Sequence, residues 1–278
     1  MAWFTDRNSF ALAVAFYGLS TLYFVFLWRK GFRRDNRVSY LLLAGAFIFH
    51  TTAMFQRGLS LSHCPVSNLY EATAFVAWTI VAAYLAVGLW SKLRFLGAFA
   101  SPVLFAIGVF ALFPNLDQPG PKLEFGRATV SLHAALVLLS YGAFGLSSVA
   151  ALMYLTQEHN LKFHKLSALF SLLPPIQRLE QVVNRLILVG VVLLTAGLAV
   201  TPFLLRQKST GELTTGSFFT DAKVVWSFIV WGLYTGLLVM RWRFAAGGRR
   251  LAWGAVGTFA FVLLTFWGTH LLSAIHNS

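Results

Sequence analysis

The sequence predicts an all-α fold: a polytopic integral membrane protein with about eight transmembrane helices. Three observations carry that expectation. Of 278 residues, 58% are hydrophobic and only 11% are charged, against about a quarter charged in an ordinary soluble domain. Mean hydropathy is +0.70, so the apolar surface exceeds what one water-soluble core can hide. The formal net charge of +13 is scattered over short gaps between apolar runs. Nucleic-acid binding would need it clustered beside groove-reading or stacking groups; membrane orientation explains it better.

Eight runs approach the roughly 17–25 residues that cover a hydrocarbon core as a helix. They are 9–28, 39–54, 71–90, 95–113, 128–155, 186–205, 223–242 and 251–273. The first follows a start that lacks a basic region and precedes no small-residue cleavage site, so it reads as retained rather than as a signal peptide. The second is the shortest. The third follows the turn residues Pro65 and Asn68. Ser67 or Asn68 can cap it, and Glu71 sits in the first turn where the helix dipole favours an anion. The fourth contains Pro102 and the sixth Pro202, both tolerated because neighbouring helices re-satisfy the backbone. A turn signal at Asp117-Gln118-Pro119-Gly120 separates the fourth run from the fifth. The longest gap, 156–184, reads after Pro175 as an amphipathic helix lying on the inner surface and feeding the sixth run. Asp221 can cap the seventh run. No repeat or low-complexity stretch is evident, and the expectation is a single transmembrane domain over 1–278.

Fifteen of the 22 lysines and arginines lie in the odd-numbered gaps: Arg29, Lys30, Arg33, Arg34, Arg37; Lys92, Arg94; Lys162, Lys165, Arg178, Arg185; Arg241, Arg243, Arg249 and Arg250. The amino terminus and even gaps hold seven. Cytoplasmic loops collect lysine and arginine, so both termini are expected to be extracytoplasmic. That places His63, Glu71, His133, Asp221 and His276 on the outer side, and His159 and His164 on the inner. His50 and His270 fall in the outer parts of the second and eighth spans.

Chemistry is sparse. The one cysteine, Cys64, allows no intramolecular disulfide, and without a CxxCH the chain does not itself carry c-type haem. No nucleophile–base set, P-loop, HExxH or paired carboxylate occurs among only nine acidic residues. A carrier or chaperone acting with a partner is therefore expected rather than an enzyme.

The histidines at span edges stand out. His133 opens the fifth span and His276 follows the last. If both lie on one side, two imidazoles can converge on one metal, or ligate haem iron from both axial sides. Two interfacial histidines bonded to water or backbone satisfy the same pattern. The segment Gly216–Trp231, with Asp221 and Trp226, reads either as an interfacial aromatic belt or as an outer shelf for a flat macrocycle. His63 and Cys64 are adjacent on a short loop, poor geometry for joint ligands. His50 and His270 are ionisable groups at membrane depth, either ligands at a second site or partners of neighbouring helices.

Together these stretches resemble the cytochrome c assembly protein family, the haem-handling membrane proteins of the CcsA and CcmC type with their HemX-like relatives. His63-Cys64-Pro65-Val66-Ser67-Asn68-Leu69-Tyr70-Glu71 is similar to the family's H-x-P-x-S-N-x-Y-E. Leu132-His133 through Leu139-Ser140-Tyr141 resembles the helix bearing its first outer histidine. Leu173-Pro174-Pro175 through Arg185-Leu186, then Gly190 to Gly197, resembles its inner loop and following helix. Leu271-Leu272-Ser273-Ala274-Ile275-His276 resembles the segment bearing its second outer histidine.

The resemblance implies non-covalent haem b between His133 and His276, as axial ligands of the iron, beside a tryptophan-rich WWD segment. Here the chain departs from the family. Phe218-Phe219-Thr220-Asp221-Ala222-Lys223-Val224-Val225-Trp226 keeps only Asp221, Lys223 and Trp226, and the family's further membrane histidine falls at Val239. That moves the resemblance towards the HemX-like branch with a degenerate WWD motif. The implied function is haem handling in support of cytochrome c maturation, with His133, His276, Asp221 and Trp226 at the site. The alternative is a HemX-like accessory that regulates tetrapyrrole (haem) biosynthesis. Implied partners are membrane lipid, haem, another maturation membrane protein and apocytochrome c, with no nucleic acid. The implied location is the bacterial cytoplasmic (inner) membrane. A non-haem transporter ranks behind both, since paired intramembrane charges are lacking.

Overall fold

Arg57, near the end of the second helix, donates to carboxylates at the start of the first helix, at the start of the third and just past the fourth. An arrangement of that kind requires consecutive helices to run up and down. The computed structural model describes residues 5–30, 36–61, 68–89, 91–117, 128–162, 175–208, 222–243 and 247–272. Among them are eight α-helices and no strand. These are α1 (Asp6–Lys30), α2 (Asn36–Leu61), α3 (Leu69–Gly88), α4 (Gly97–Ala111), α5 (Ala128–Lys162), α6 (Ile176–Lys208), α7 (Ala222–Arg243) and α8 (Gly248–Leu272). Seven of them, α1 to α7, are long and apolar enough to cross a membrane. The fold is all-α and that of a multi-pass membrane protein.

Helices α1 to α4 pack on one another, α3 hands over to α5, and α5 packs on α6 and α8. The larger buried cluster includes Tyr17, Leu43, Ile80, Tyr84, Leu104, Phe144, Leu186, Tyr234 and Phe259, and a smaller one gathers Phe10, Val14, Ala53, Tyr70, Ala74 and Ala111. Apolar side chains alone give helices little reason to associate in lipid, so close approach and hydrogen bonds do the work. Gly142 and Gly145 supply the approach between α5 and α3. A Cβ at 142 would lie 2.5 Å from the Thr79 carbonyl oxygen, and one at 145 would lie 2.7 Å from Ile80 Cγ1. The rings of Phe144 and Tyr234 stack in parallel, 3.6 Å between centroids, and join α5 to α7.

Helices α1 and α2 are tied by three hydrogen bonds at successive depths. Ser9 Oγ donates to Gln56 Oε1 at 3.1 Å, Tyr17 OH pairs with His50 Nδ1 at 2.9 Å, and Ser20 pairs with Ser39 at 2.8 Å. Such intramembrane bonds contribute on the order of 0.6 kcal/mol each. His50 is fully buried and also meets the Phe10 ring edge-on at 4.9 Å. Of its two sequence readings, the structure supplies the partner on a neighbouring helix.

Three elements differ from the sequence expectation. The second span is not short: α2 is 26 residues long and runs through Gln56 and Arg57, because carboxylates on adjacent elements neutralise the arginine. The fourth span opens with a 3-10 turn, Ser91–Leu96, before α4 begins. The segment after Pro175 does not lie apart on the surface. It forms the first turns of α6, a continuous helix of 33 residues. Its apolar stripe of Leu179, Val182, Val183, Leu186 and Ile187 is buried in the core rather than turned to lipid headgroups.

Candidate functional site

The starts of α1, α3, α5 and α7 gather at one end of the bundle, and the ends of α2, α4, α6 and α8 join them there. His133 stands in the second turn of α5, partly buried. Its Nδ1 lies 2.8 Å from the backbone carbonyl of Gly197 on α6. A carbonyl can only accept, so Nδ1 carries the proton, and in the neutral ring Nε2 holds the lone pair. A histidine whose Nδ1–H is held by a carbonyl is oriented and set in the tautomer that ligates through Nε2. Gly197 makes the approach possible: a Cβ there would sit 2.9 Å from Val137 Cγ2 on α5.

Two residues back along α6, Thr195 Oγ1 accepts from Trp231 Nε1 of α7 at 2.9 Å. One turn nearer the start of α7, Trp226 packs against the core with its ring 5.3 Å from that of Phe261 on α8. Its indole Nε1 is buried and has no hydrogen-bond partner among the described residues. Contacts thus run from α5 through α6 and α7 to α8 near the same end. His133 and Trp226, singled out in the sequence, share that end. Asp221, His276 and His63 lie outside the described residues, and His270 lies on α8 without a described side chain. Among the described residues, no three His, Cys, Asp or Glu side chains converge on a point that could hold a metal ion.

The segment Asn68–Glu71 takes the capping role expected of it. The Asn68 side chain accepts from the backbone N–H of Glu71 at 2.8 Å, with Asn68 itself extended. Its amide donates to Asp117 Oδ1 at 2.9 Å. Glu71 is only 1% exposed and accepts from Arg57 Nε at 2.9 Å. Arg57 Nη1 donates to Asp6 at 3.0 Å, its Nη2 engages Asp117, and its guanidinium stands 5.3 Å from the Tyr70 ring. Arg7 adds a contact to Asp117 at 3.7 Å and donates to the Leu112 carbonyl at 2.9 Å. The motif therefore closes an ion cluster that fastens α1, α2, α3 and the segment after α4 at the level of the site.

Sequence reasoning did not find two of these features. The Gly197 carbonyl is main chain and has no side-chain signature. The acceptors of Arg57 are dispersed over residues 6 to 117, and only the position of Arg57 near the end of a span hinted that it needed them.

Residues 66–276 match the family described as Cytochrome C assembly protein. The chain is 26% identical to Protein HemX of Brevibacillus brevis, over 94% of this chain and 95% of that one. It is 25% identical to Protein HemX of Bacillus subtilis, over 95% and 94%. It is also 28% identical to Cytochrome c biogenesis protein CcsA of a Synechococcus strain, over 85% and 83%. With three quarters of its length matched, this multi-pass membrane chain belongs to the cytochrome c assembly protein family.

Proposed function

We propose that the chain acts as one membrane domain that holds haem b non-covalently and assists cytochrome c maturation in the bacterial cytoplasmic membrane. In this reading His133 and His276 would hold the haem iron, and Asp221 and Trp226 would line the site. The observation that carries it is the His133 Nδ1–H bond to Gly197, which presents Nε2 as a donor nitrogen. The donor set suits the group: neutral imidazole is a good ligand of haem iron, and the buried Trp226 indole N–H, without a partner among the described residues, offers a hydrogen bond at the same end. Haem bound there would supply the porphyrin to be passed on. The chain's part is to orient an imidazole, exclude water with apolar neighbours and keep the group at the membrane surface. Covalent attachment belongs to a partner that delivers reduced apocytochrome thiols.

The test is the absorption spectrum of the purified chain after haem loading. A Soret band characteristic of two histidine ligands is expected, lost in the His133→Ala, His276→Ala double variant. No band in the native chain, or an unchanged one in the double variant, refutes the assignment.

A second reading, a HemX-like accessory that tunes tetrapyrrole synthesis, is favoured by the replacement of two of the family's tryptophans with Phe218 and Thr220. Deletion would then change haem precursor levels and leave cytochromes c intact. The maturation reading expects loss of cytochromes c.

A further inference from the structure

At the end of the bundle opposite His133, the last turns of α5 and the first turns of α8 enclose an open cavity of about 280 Å³. It is lined by Leu155, Glu158, His159 and Lys162 from α5 and by Arg249 and Trp253 from α8. The two helices approach it from opposite chain directions, yet their side chains are graded in the same sense. Leu155 and Trp253 lie deeper, on the membrane side. His159, Lys162 and Arg249 lie about one to two turns further out, a rise of roughly 5–10 Å. Trp253 is 58% exposed, so the apolar floor opens towards lipid rather than into the core.

The charge at the rim is surplus. Glu180 is engaged by Arg241 across α6 and α7. Glu158 meets Arg249 Nε at 3.6 Å, near the limit of an ion pair, with the arginine side chain 62% exposed. Among the described residues, Lys162, Arg249 and the adjoining Arg250 therefore outnumber the carboxylate that lines the cavity, Glu158. Arg249 and Arg250 also occupy the first turn of α8, where the helix dipole is positive and a cation costs some tenths of a kcal/mol to about 1 kcal/mol. An anion at the rim would offset that cost. The start of α8 is closely packed here: a Cβ at Gly248 would lie 2.6 Å from Tyr154 OH and 2.8 Å from the Glu180 carboxylate.

The geometry points to this cavity as a binding site for one acidic phospholipid, with its phosphate between Lys162 and Arg249 and the start of an acyl chain against Leu155 and Trp253. A cationic rim over an apolar, lipid-facing floor suits an amphiphile better than a free anion. Basic pockets between membrane helices take anionic head groups in this way. The lysine–arginine bias assigns this end to the cytoplasmic leaflet, where such lipids meet basic segments.

The test is native mass spectrometry of the full chain in detergent, titrated with phosphatidylglycerol and with phosphatidylcholine. The native chain is expected to hold phosphatidylglycerol at least about tenfold more tightly. The Lys162→Gln, Arg249→Gln variant is expected to lose most of that preference, with its helical content by circular dichroism unchanged. Lys162→Arg, Arg249→Lys keeps the charges and is expected to keep the preference, as is Arg37→Gln on α2. Millimolar inorganic phosphate is expected to leave the lipid bound. The proposal is overturned if the native chain shows no preference or if Arg37→Gln loses as much as the cavity variant. It is equally overturned if inorganic phosphate or haem displaces the lipid from this site. Should the double glutamine variant fail to fold, the native chain's melting temperature decides. A rise in phosphatidylglycerol over phosphatidylcholine that the Arg–Lys swap preserves supports the site, and no rise refutes it.

Discussion

Replacing Arg57 with leucine is the most informative perturbation of the fold. The guanidinium meets Glu71, Asp6 and Asp117 at once. Glu71 is 1% exposed, while the side chains of Asp6 and Asp117 are 23% and 13% exposed. Without the arginine, Glu71 stays buried and loses its counter-charge, and breaking a buried pair from one side costs about 3–5 kcal/mol. The two aspartates reach water more easily, and each adds less than about 1 kcal/mol. Arg57→Leu is thus expected to destabilise the chain by about 3–5 kcal/mol, read from loss of helical circular dichroism as sodium dodecyl sulfate is titrated into mixed micelles. Adding Glu71→Gln to Arg57→Leu is expected to recover a large part of the loss, since the orphaned charge is what costs. Arg57→Lys should recover less, because a point charge cannot reproduce the planar fork that serves three carboxylates. A loss below about 1 kcal/mol, or strict additivity of the leucine and glutamine substitutions, would refute the reasoning.

Three further outcomes follow from contacts described above. Gly142→Val puts a branched side chain where even a Cβ lies 2.5 Å from the Thr79 carbonyl; it is expected to cost about 1–3 kcal/mol by overpacking, with a lower melting temperature in detergent. Tyr17→Phe removes the partner of buried His50 Nδ1 and should cost about 1–3 kcal/mol; His50→Leu in the same chain should restore part of it, and failure to do so would count against the pair. Gly197→Val drives α6 away from Val137 and is expected to lengthen the His133 bond. Nitrogen chemical shifts of labelled His133 would then move from a pure Nδ1–H form towards a mixture, whereas an unchanged spectrum would mean that something other than Gly197 sets the tautomer.

Much of the architecture was legible from hydropathy, since a span needs only length and an apolar average. What hydropathy missed were places where a polar group is compensated by distant parts of the chain. The second span looked short because Gln56 and Arg57 end an apolar run. The helix continues because Ser9, Asp6, Glu71 and Asp117 meet them. The inner amphipathic segment was misplaced for the opposite reason. Its stripe of Leu179, Val182, Val183 and Leu186 has the period of a helix on a membrane surface, and period alone does not say whether lipid or α5 covers the face. At the site, His133 was legible as an imidazole at a span edge. Its bond to Gly197 was not, because the acceptor 64 residues away is an atom every residue possesses.

That acceptor being main chain has a consequence for how the protein can vary. Exchange of side chains along α6, other than at Gly197 where a Cβ would meet Val137, leaves a carbonyl at the same point in space, so the proton on His133 Nδ1 is insulated from most sequence drift in that helix. The orientation that this bond gives the ring shifts when α6 as a body moves against α5. A sliding or tilting of one helix past the other would re-aim the imidazole without any change of side chain.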